Sequence, residues 1–167
     1  MARLIEQNAR ENQREGQVRV IVANVQAVAE DTRCDAVVMN PPYFKVDEGA
    51  GAPEQTRDGA RHERHATLAD FVACGLRHLQ PEGALYAVLP TARRADLEAA
   101  LEQHGAGLSR LRGVHAREGK HARLMLVEAR RGVAREDLAR EAPLYVHPPG
   151  TERGFTEEVA ALLARPR

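Results

Sequence analysis

The stretch Asp35-Ala36-Val37-Val38-Met39-Asn40-Pro41-Pro42-Tyr43-Phe44 decides the fold of this chain. Asp35 to Met39 is a short, near-continuous apolar run, the pattern of a strand in a parallel sheet covered on both faces. Asn40-Pro41 ends it as a proline turn. In open α/β sheets ligands bind beyond the carboxyl ends of the strands, so the five residues from Asn40 to Phe44 stand where a site belongs.

Upstream, Val18, Val20, Ile21 and Val22 form a second β-branched run ending at Ala23-Asn24, and the polar insert between the two runs reads as helical. A charged opening punctuated by Leu4, Ile5, Asn8 and Asn12 predicts a helix of about four turns stopped by Gly16. Downstream, residues 44–59 are rich in Gly, Ala, Asp and Glu, carry Pro53 and show no periodicity, which predicts a long mobile loop. Thr67 to Leu79 has helical spacing, with Asp70 in its first turn and Pro81-Glu82-Gly83 beyond its end. Ala84 to Leu89 is a third buried strand, stopped by Pro90, and Arg93 to His104 is a helix with Gly105 at its C-cap. Leu108–His115 and Arg123–Arg130 read as a hairpin turning at Gly119. A short extended segment, Ala142 to Val146, precedes a final helix from about Thr156 with Val159, Leu162 and Leu163 on its apolar face. Strands alternating with helices predict the α/β class.

The 167 residues, 43% hydrophobic and 29% charged, suffice for a single domain spanning 1–167 with its own core. Disorder, collagen-like repeats and a disulfide miniprotein are excluded for the chain as a whole. No apolar run approaches the roughly 20 residues that span a bilayer, and the opening lacks a signal-peptide core, so a cytoplasmic protein without a membrane partner is expected. Cys34 and Cys74 are far apart and belong to no CxxC pair, which predicts reduced, partly buried thiols. Formal net charge is zero, but residues 110–135 carry eight Arg or Lys against two Asp or Glu. Arg110, Arg112 and Arg130 there are candidates for a phosphate-tracking stripe, against the alternative of a hairpin charged for solubility and edge protection.

His62-Glu63-Arg64-His65 lacks one residue of the HExxH spacing that puts two imidazoles on one helix face, so no metal is expected. Arg61 and His62 read instead as phosphate contacts beside the pocket mouth, or as a solvated junction. Neither a P-loop nor a locally supported Ser-His-Asp or Cys-His arrangement occurs in the sequence.

Asn40-Pro41-Pro42-Tyr43 resembles the signature of S-adenosylmethionine-dependent methyltransferases acting on conjugated amide or amino nitrogens, and chemistry explains the residue types. An exocyclic adenine nitrogen is a poor nucleophile while its lone pair is delocalised into the ring. The Asn40 side-chain oxygen and the Pro41 carbonyl can each accept one N–H and aim the lone pair, the two prolines hold the backbone stiff, and Tyr43 or Phe44 can stack on a flipped base. Ala60-Arg61-His62-Glu63 and Leu79-Gln80-Pro81-Glu82-Gly83 extend the likeness. Further along come Val114-His115, Gly119-Lys120-His121-Ala122, Leu126-Val127-Glu128, Pro143-Leu144-Tyr145-Val146-His147 and Gly154-Phe155-Thr156-Glu157. Together these resemble, over nearly the whole chain, the tRNA adenine-N6-methyltransferase family that modifies valine tRNA beside the anticodon.

The resemblance implies a Rossmann-like class I methyltransferase sheet, mostly parallel with an antiparallel last strand. It implies S-adenosylmethionine as cofactor, a tRNA substrate and N6-adenine methylation. It assigns Asn40, Pro41, Pro42 and Tyr43 to catalysis, Asn24 and Asn40 to the cofactor, and Phe44, Arg61, His62, Arg110, Arg112 and Arg130 to the substrate. Two departures stand out. The family's first two strands, with their acidic, glycine-rich cofactor loop, have no counterpart, so the chain is expected to be N-terminally truncated, with unpaired sheet edges that could join copies of it. Asn24 stands where the family commonly has an Asp on the cofactor's adenine, an uncharged and therefore weaker acceptor. The alternatives are N5-methylation of a protein glutamine, or a truncated, non-catalytic RNA-binding remnant.

Overall fold

A computed structural model describes residues 2–29, 32–41, 66–151 and 153–164. Its strands are β1 (Cys34–Met39), β2 (Leu79–Pro90), β3 (Ala106–His115), β4 (Leu124–Arg131), β5 (Ala139–Arg140) and β6 (Leu144–Tyr145). Its helices are α1 (Ala2–Glu11), α2 (Leu68–Arg77), α3 (Arg94–Glu102) and α4 (Glu157–Leu163).

The sheet order is β1-β2-β4-β3-β5, with β6 also paired to β3. β1 runs parallel to β2, and β5 and β6 run parallel to β3, whereas β4 is antiparallel to both β2 and β3. All strands therefore point one way except β4, which returns from β3 as the expected hairpin and inserts between β2 and β3. A mostly parallel sheet with an antiparallel strand is what the resemblance implies; in chain order β5 and β6 follow the reversed strand.

Helix α2 starts at a capping box: the Thr67 hydroxyl accepts from Asp70 N at 3.3 Å and the Asp70 carboxylate accepts from Thr67 N at 2.7 Å. Its Leu68, Val72 and Leu76 pack with Leu97, Ala100 and Leu101 of α3 onto Leu85, Ala87 and Leu89 of β2 and Met125, Val127 and Ala129 of β4. Gly105 takes φ 63° three residues past the end of α3, its N–H donating to the Glu102 carbonyl at 3.1 Å, close to the expected stop.

The two helices cover one sheet face. Side chains alternate along a strand, so Val38, its partner Tyr86, and the paired Val88 and Leu126 share the other face. Val38 is 81% exposed and Leu126 39%. Coverage of both faces was expected; among the described residues α2 and α3 cover one, and the other is covered only in part, with Glu128 buried and Arg112 meeting Glu158 of α4 while Val38 stays exposed.

Val18–Ala23 is not a strand. Ile21 and Val22 are exposed, the chain bends at Ala23, and among the described residues no strand pairs with the segment, because β-branched residues favour extended backbone and cannot supply a partner edge. The opening helix is shorter than predicted: it ends at Glu11, the chain turns at Gln13 with φ 55°, and Gly16 sits in a separate 3-10 turn. Between Asn24 and β1 the expected helix is one 3-10 turn, Val25–Ala27. Strand β2 begins five residues early, at Leu79. Cys34 pairs with Leu79 and Ala36 with Ala84, so the turn-like Pro81-Glu82-Gly83 is absorbed as a bulge. Strand β5 was not anticipated. Both cysteines are free thiols, Cys74 buried and Cys34 partly so. The loop read at 44–59 lies outside the described residues.

Candidate active site

Strands β1, β2 and β3 end at Met39, Pro90 and His115, all on one side of the sheet, where a parallel α/β sheet binds its ligands. Asn40 stands there between two anchors: Met39 is 8% exposed and Pro41 is among the fully buried side chains. The buried residues fix the backbone on either side, and the Asn40 amide projects at the surface. Among the described residues it has no hydrogen-bond partner, so its oxygen and both its N–H groups face outward uncommitted.

Asn24 reaches the same side by another route. Its Oδ1 accepts from Gln26 N at 2.9 Å, capping the Val25–Ala27 turn. Gln26 in turn hydrogen-bonds Asp70 in the first turn of α2, and together with Thr67 it holds the Asp70 carboxyl below its ordinary value. Since α2 carries the chain from the carboxyl end of β1 back to the start of β2, its N-terminus lies at the ligand side. The second anchor of this segment is His78 Nε2, 2.9 Å from the Ala29 carbonyl. Asn24 therefore precedes a docked turn instead of ending a strand, and one lone pair of its oxygen is already used.

Pro42, Tyr43, Phe44, Arg61 and His62 lie outside the described residues. Arg110, Arg112 and Arg130 are described, and each is bonded inside the molecule. Arg110 pairs with Glu128 and Glu141. Arg112 pairs with Glu158 at 2.8 Å and donates to the Ala142 carbonyl at 2.8 Å. Arg130 pairs with Glu128 at 2.7 Å and donates to the Glu82 carbonyl at 3.0 Å. Burial alone would push the Glu128 carboxyl up, but hydrogen bonds from Arg130, Ser109 and Arg110 overcome it and hold the carboxyl below its ordinary value. The arginines read from the sequence as a stripe are thus matched by carboxylates: Glu141 and Glu158, distant in the chain, and Glu128, two residues before Arg130 on β4.

Among the described residues no group of three His, Cys, Asp or Glu could hold a metal ion, and no helix is long and apolar enough to cross a membrane. S-adenosylmethionine needs acceptors for its adenine and hydroxyls and a close backbone cradle for its methionine end. Asn24 and Asn40 fit the first requirement. None of the described turns that follow a parallel strand carries the closely spaced glycines of such a cradle, so these residues fit part of the cofactor.

No family model matches the chain. Curated relatives named tRNA1(Val) (adenine(37)-N6)-methyltransferase do. The one from Photobacterium profundum is 33% identical over 114 residues, covering 68% of this chain and 46% of the relative. The one from Porphyromonas gingivalis is 29% identical over 111 residues, 66% of this chain and 43% of the relative. The one from Phocaeicola vulgatus is 24% identical over 133 residues, 78% and 56% respectively. The chain spans about half the length of the curated relatives it matches. Among solved structures, a predicted O-methyltransferase from Agrobacterium tumefaciens superposes with a TM-score of 0.68 at 23% identity, covering 96% of this chain and 69% of that one. Mitomycin 7-O-methyltransferase gives 0.50 at 9% identity, covering 78% and 39%. The chain has the Rossmann-like fold of the class I methyltransferases, and its curated relatives at 24–35% identity are tRNA1(Val) (adenine(37)-N6)-methyltransferases.

Proposed function

We propose that the protein takes part in S-adenosylmethionine-dependent methylation of the exocyclic N6 of an adenine in a valine tRNA, and that Asn40 and Pro41 hold the accepting amine. The observation that supports this is Asn40 itself: an uncommitted amide at the carboxyl end of β1, pinned by buried Met39 and Pro41. When bound, S-adenosylmethionine supplies an electrophilic methyl group. The Asn40 Oδ1 accepts one N–H of the amine and the Pro41 carbonyl the other, which draws the lone pair out of the ring and gives it one direction. Pro42 stiffens this segment, Tyr43 and Phe44 offer faces for a base turned out of its stack, and Arg61 and His62 serve its phosphate. Asn24 accepts from the cofactor's adenine with its remaining lone pair.

The test is mass-spectrometric detection of N6-methyladenine in valine tRNA incubated with the protein and S-adenosylmethionine. Asn40→Ala is expected to lower turnover about 100-fold while tRNA affinity stays within about twofold, because the bond strengthens only as the nitrogen pyramidalises. Full turnover in Asn40→Ala removes Asn40 from the mechanism. Methyl groups found on a protein glutamine instead would replace the substrate.

A further inference from the structure

The turn between β3 and β4, residues 116–123, leaves the sheet at the same side as Asn40. Lys120, His121 and Arg123 on it are exposed, and among the described residues Lys120 and Arg123 make no ion pair. That sets them apart from Arg110, Arg112 and Arg130, whose charges are matched inside the molecule. The turn is held in shape from three directions. His115 Nδ1 donates to the Lys120 carbonyl at 2.5 Å, the Thr91 hydroxyl donates to the Ala122 carbonyl at 3.1 Å, and Arg123 N donates to the Val114 carbonyl at 3.2 Å. Gly119, with φ 75°, gives the chain its left-handed bend.

An aromatic platform adjoins it. His147 N donates to the Ala116 carbonyl at 2.9 Å, joining the segment after β6 to the first residue of the turn. The His147 ring lies 6.2 Å from the Phe155 ring with 12° between the planes, and its Nδ1 donates to the Gly154 carbonyl at 2.7 Å. Phe155 is 52% exposed. One exposed phenyl is ordinary on a surface. A phenyl stacked on an imidazole, tied by backbone to a turn with two unmatched cations, has the parts of a single-stranded nucleic-acid platform: a face for a base and charges for the phosphates flanking it. Counting two strand spacings across the sheet and three residues along it, Arg123 is about 15 Å from Asn40, a gap a few nucleotides bridge.

We propose that Lys120, Arg123 and the His147–Phe155 pair form the contact surface for an unpaired RNA loop, with Phe155 stacking on a base beside the methylated one. This rests on the tRNA reading above for the identity of the ligand. The test is fluorescence anisotropy with a labelled RNA stem-loop and a duplex of equal length, titrated between roughly 50 and 200 mM salt. The double variant Lys120→Gln/Arg123→Gln is expected to weaken stem-loop binding about tenfold and flatten the salt slope by about 1.4, two single-strand phosphate contacts' worth. Phe155→Ala is expected to weaken stem-loop binding about tenfold and spare the duplex, and Phe155→Tyr to restore it. Arg110→Gln should leave the slope unchanged. Stem-loop binding and slope unaltered in the double variant and in Phe155→Ala, or no RNA binding by the parent protein, would overturn the proposal. RNA binding that depends on these residues without methyl transfer would retain this surface and remove the catalytic reading; methyl transfer indifferent to them would do the reverse.

Discussion

At the scale of single residues, the two polar side chains that matter most are held in opposite ways. Asn40 is anchored by its neighbours and left uncommitted, whereas Glu128, 6% exposed, is consumed by Arg110, Arg130 and Ser109. Sequence reasoning singled out Asn40 because Asn-Pro-Pro-Tyr is contiguous and follows a strand, which the structure has at Cys34–Met39. It weighed Arg110 and Arg130 as phosphate contacts against charges on a solvated hairpin; Arg110 meets Glu128 through strand pairing and Glu141 through the return of the chain beside β3, and Arg130 meets Glu128 two residues before it on the same strand. A pH dependence follows. The folded state holds the Glu128 and Asp70 carboxyls below their ordinary values of 4.5 and 3.8. Their contribution is therefore fully present above about pH 5 and is lost as pH falls through the depressed folded values. Thermal melts from pH 7 to pH 2 should show stability falling below about pH 5. Glu128→Gln should cost about 2 kcal/mol at pH 7 and make the acid limb shallower. An acid limb of unchanged steepness in this variant would show that Glu128 does not drive it.

At the scale of elements, legibility tracked how local the determinants are. The capping box of α2, the left-handed Gly105 and the β3–β4 hairpin are written within a few residues of one another, and the structure has all three. Val18–Ala23 fails because a strand is a relation between two segments, and no described segment offers this one an edge. Strand β2 was read short because Pro81 looks like a stop until Cys34 is seen to pair with Leu79 across a bulge. The start of α2 also orders its surroundings, since Asp70 holds both Thr67 and Gln26. Thr67→Ala should cost about 1 kcal/mol in chemical denaturation. It should also speed amide exchange at Gln26 and Ala27, whose turn depends on Asp70; exchange there at the parent rate would show that the turn docks by other means.

At the scale of the whole molecule, the described residues dress the two sides of the sheet unequally. Helices α2 and α3 bury one face, while Val38 on the end strand is 81% exposed and β1 has β2 as its one ladder partner among the described residues. An apolar end strand invites pairing with another. Sedimentation velocity should show concentration-dependent self-association at neutral pH, reduced by Val38→Lys, a charge on that strand. Association unchanged by Val38→Lys would place the contact elsewhere. Fold class was legible because it follows from one apolar strand and the helices and strands that alternate with it, and the proposed site is placed at that strand's carboxyl end. The exposure of Val38 was not, since an apolar run reads the same whichever of its sides is packed.

The reversed strand also sets an order of events for a chain made from its N-terminus. Strands β2 and β3 never touch; β4 lies between them, and Leu85 pairs with Ala129, 44 residues further on. Until that last piece has left the ribosome, α2 and α3 have only half a floor to settle on, with Met125, Val127 and Ala129 still missing from beneath them. The core therefore stays incomplete until β4 lies between the edges of β2 and β3, which makes the reversed strand the keystone of the sheet.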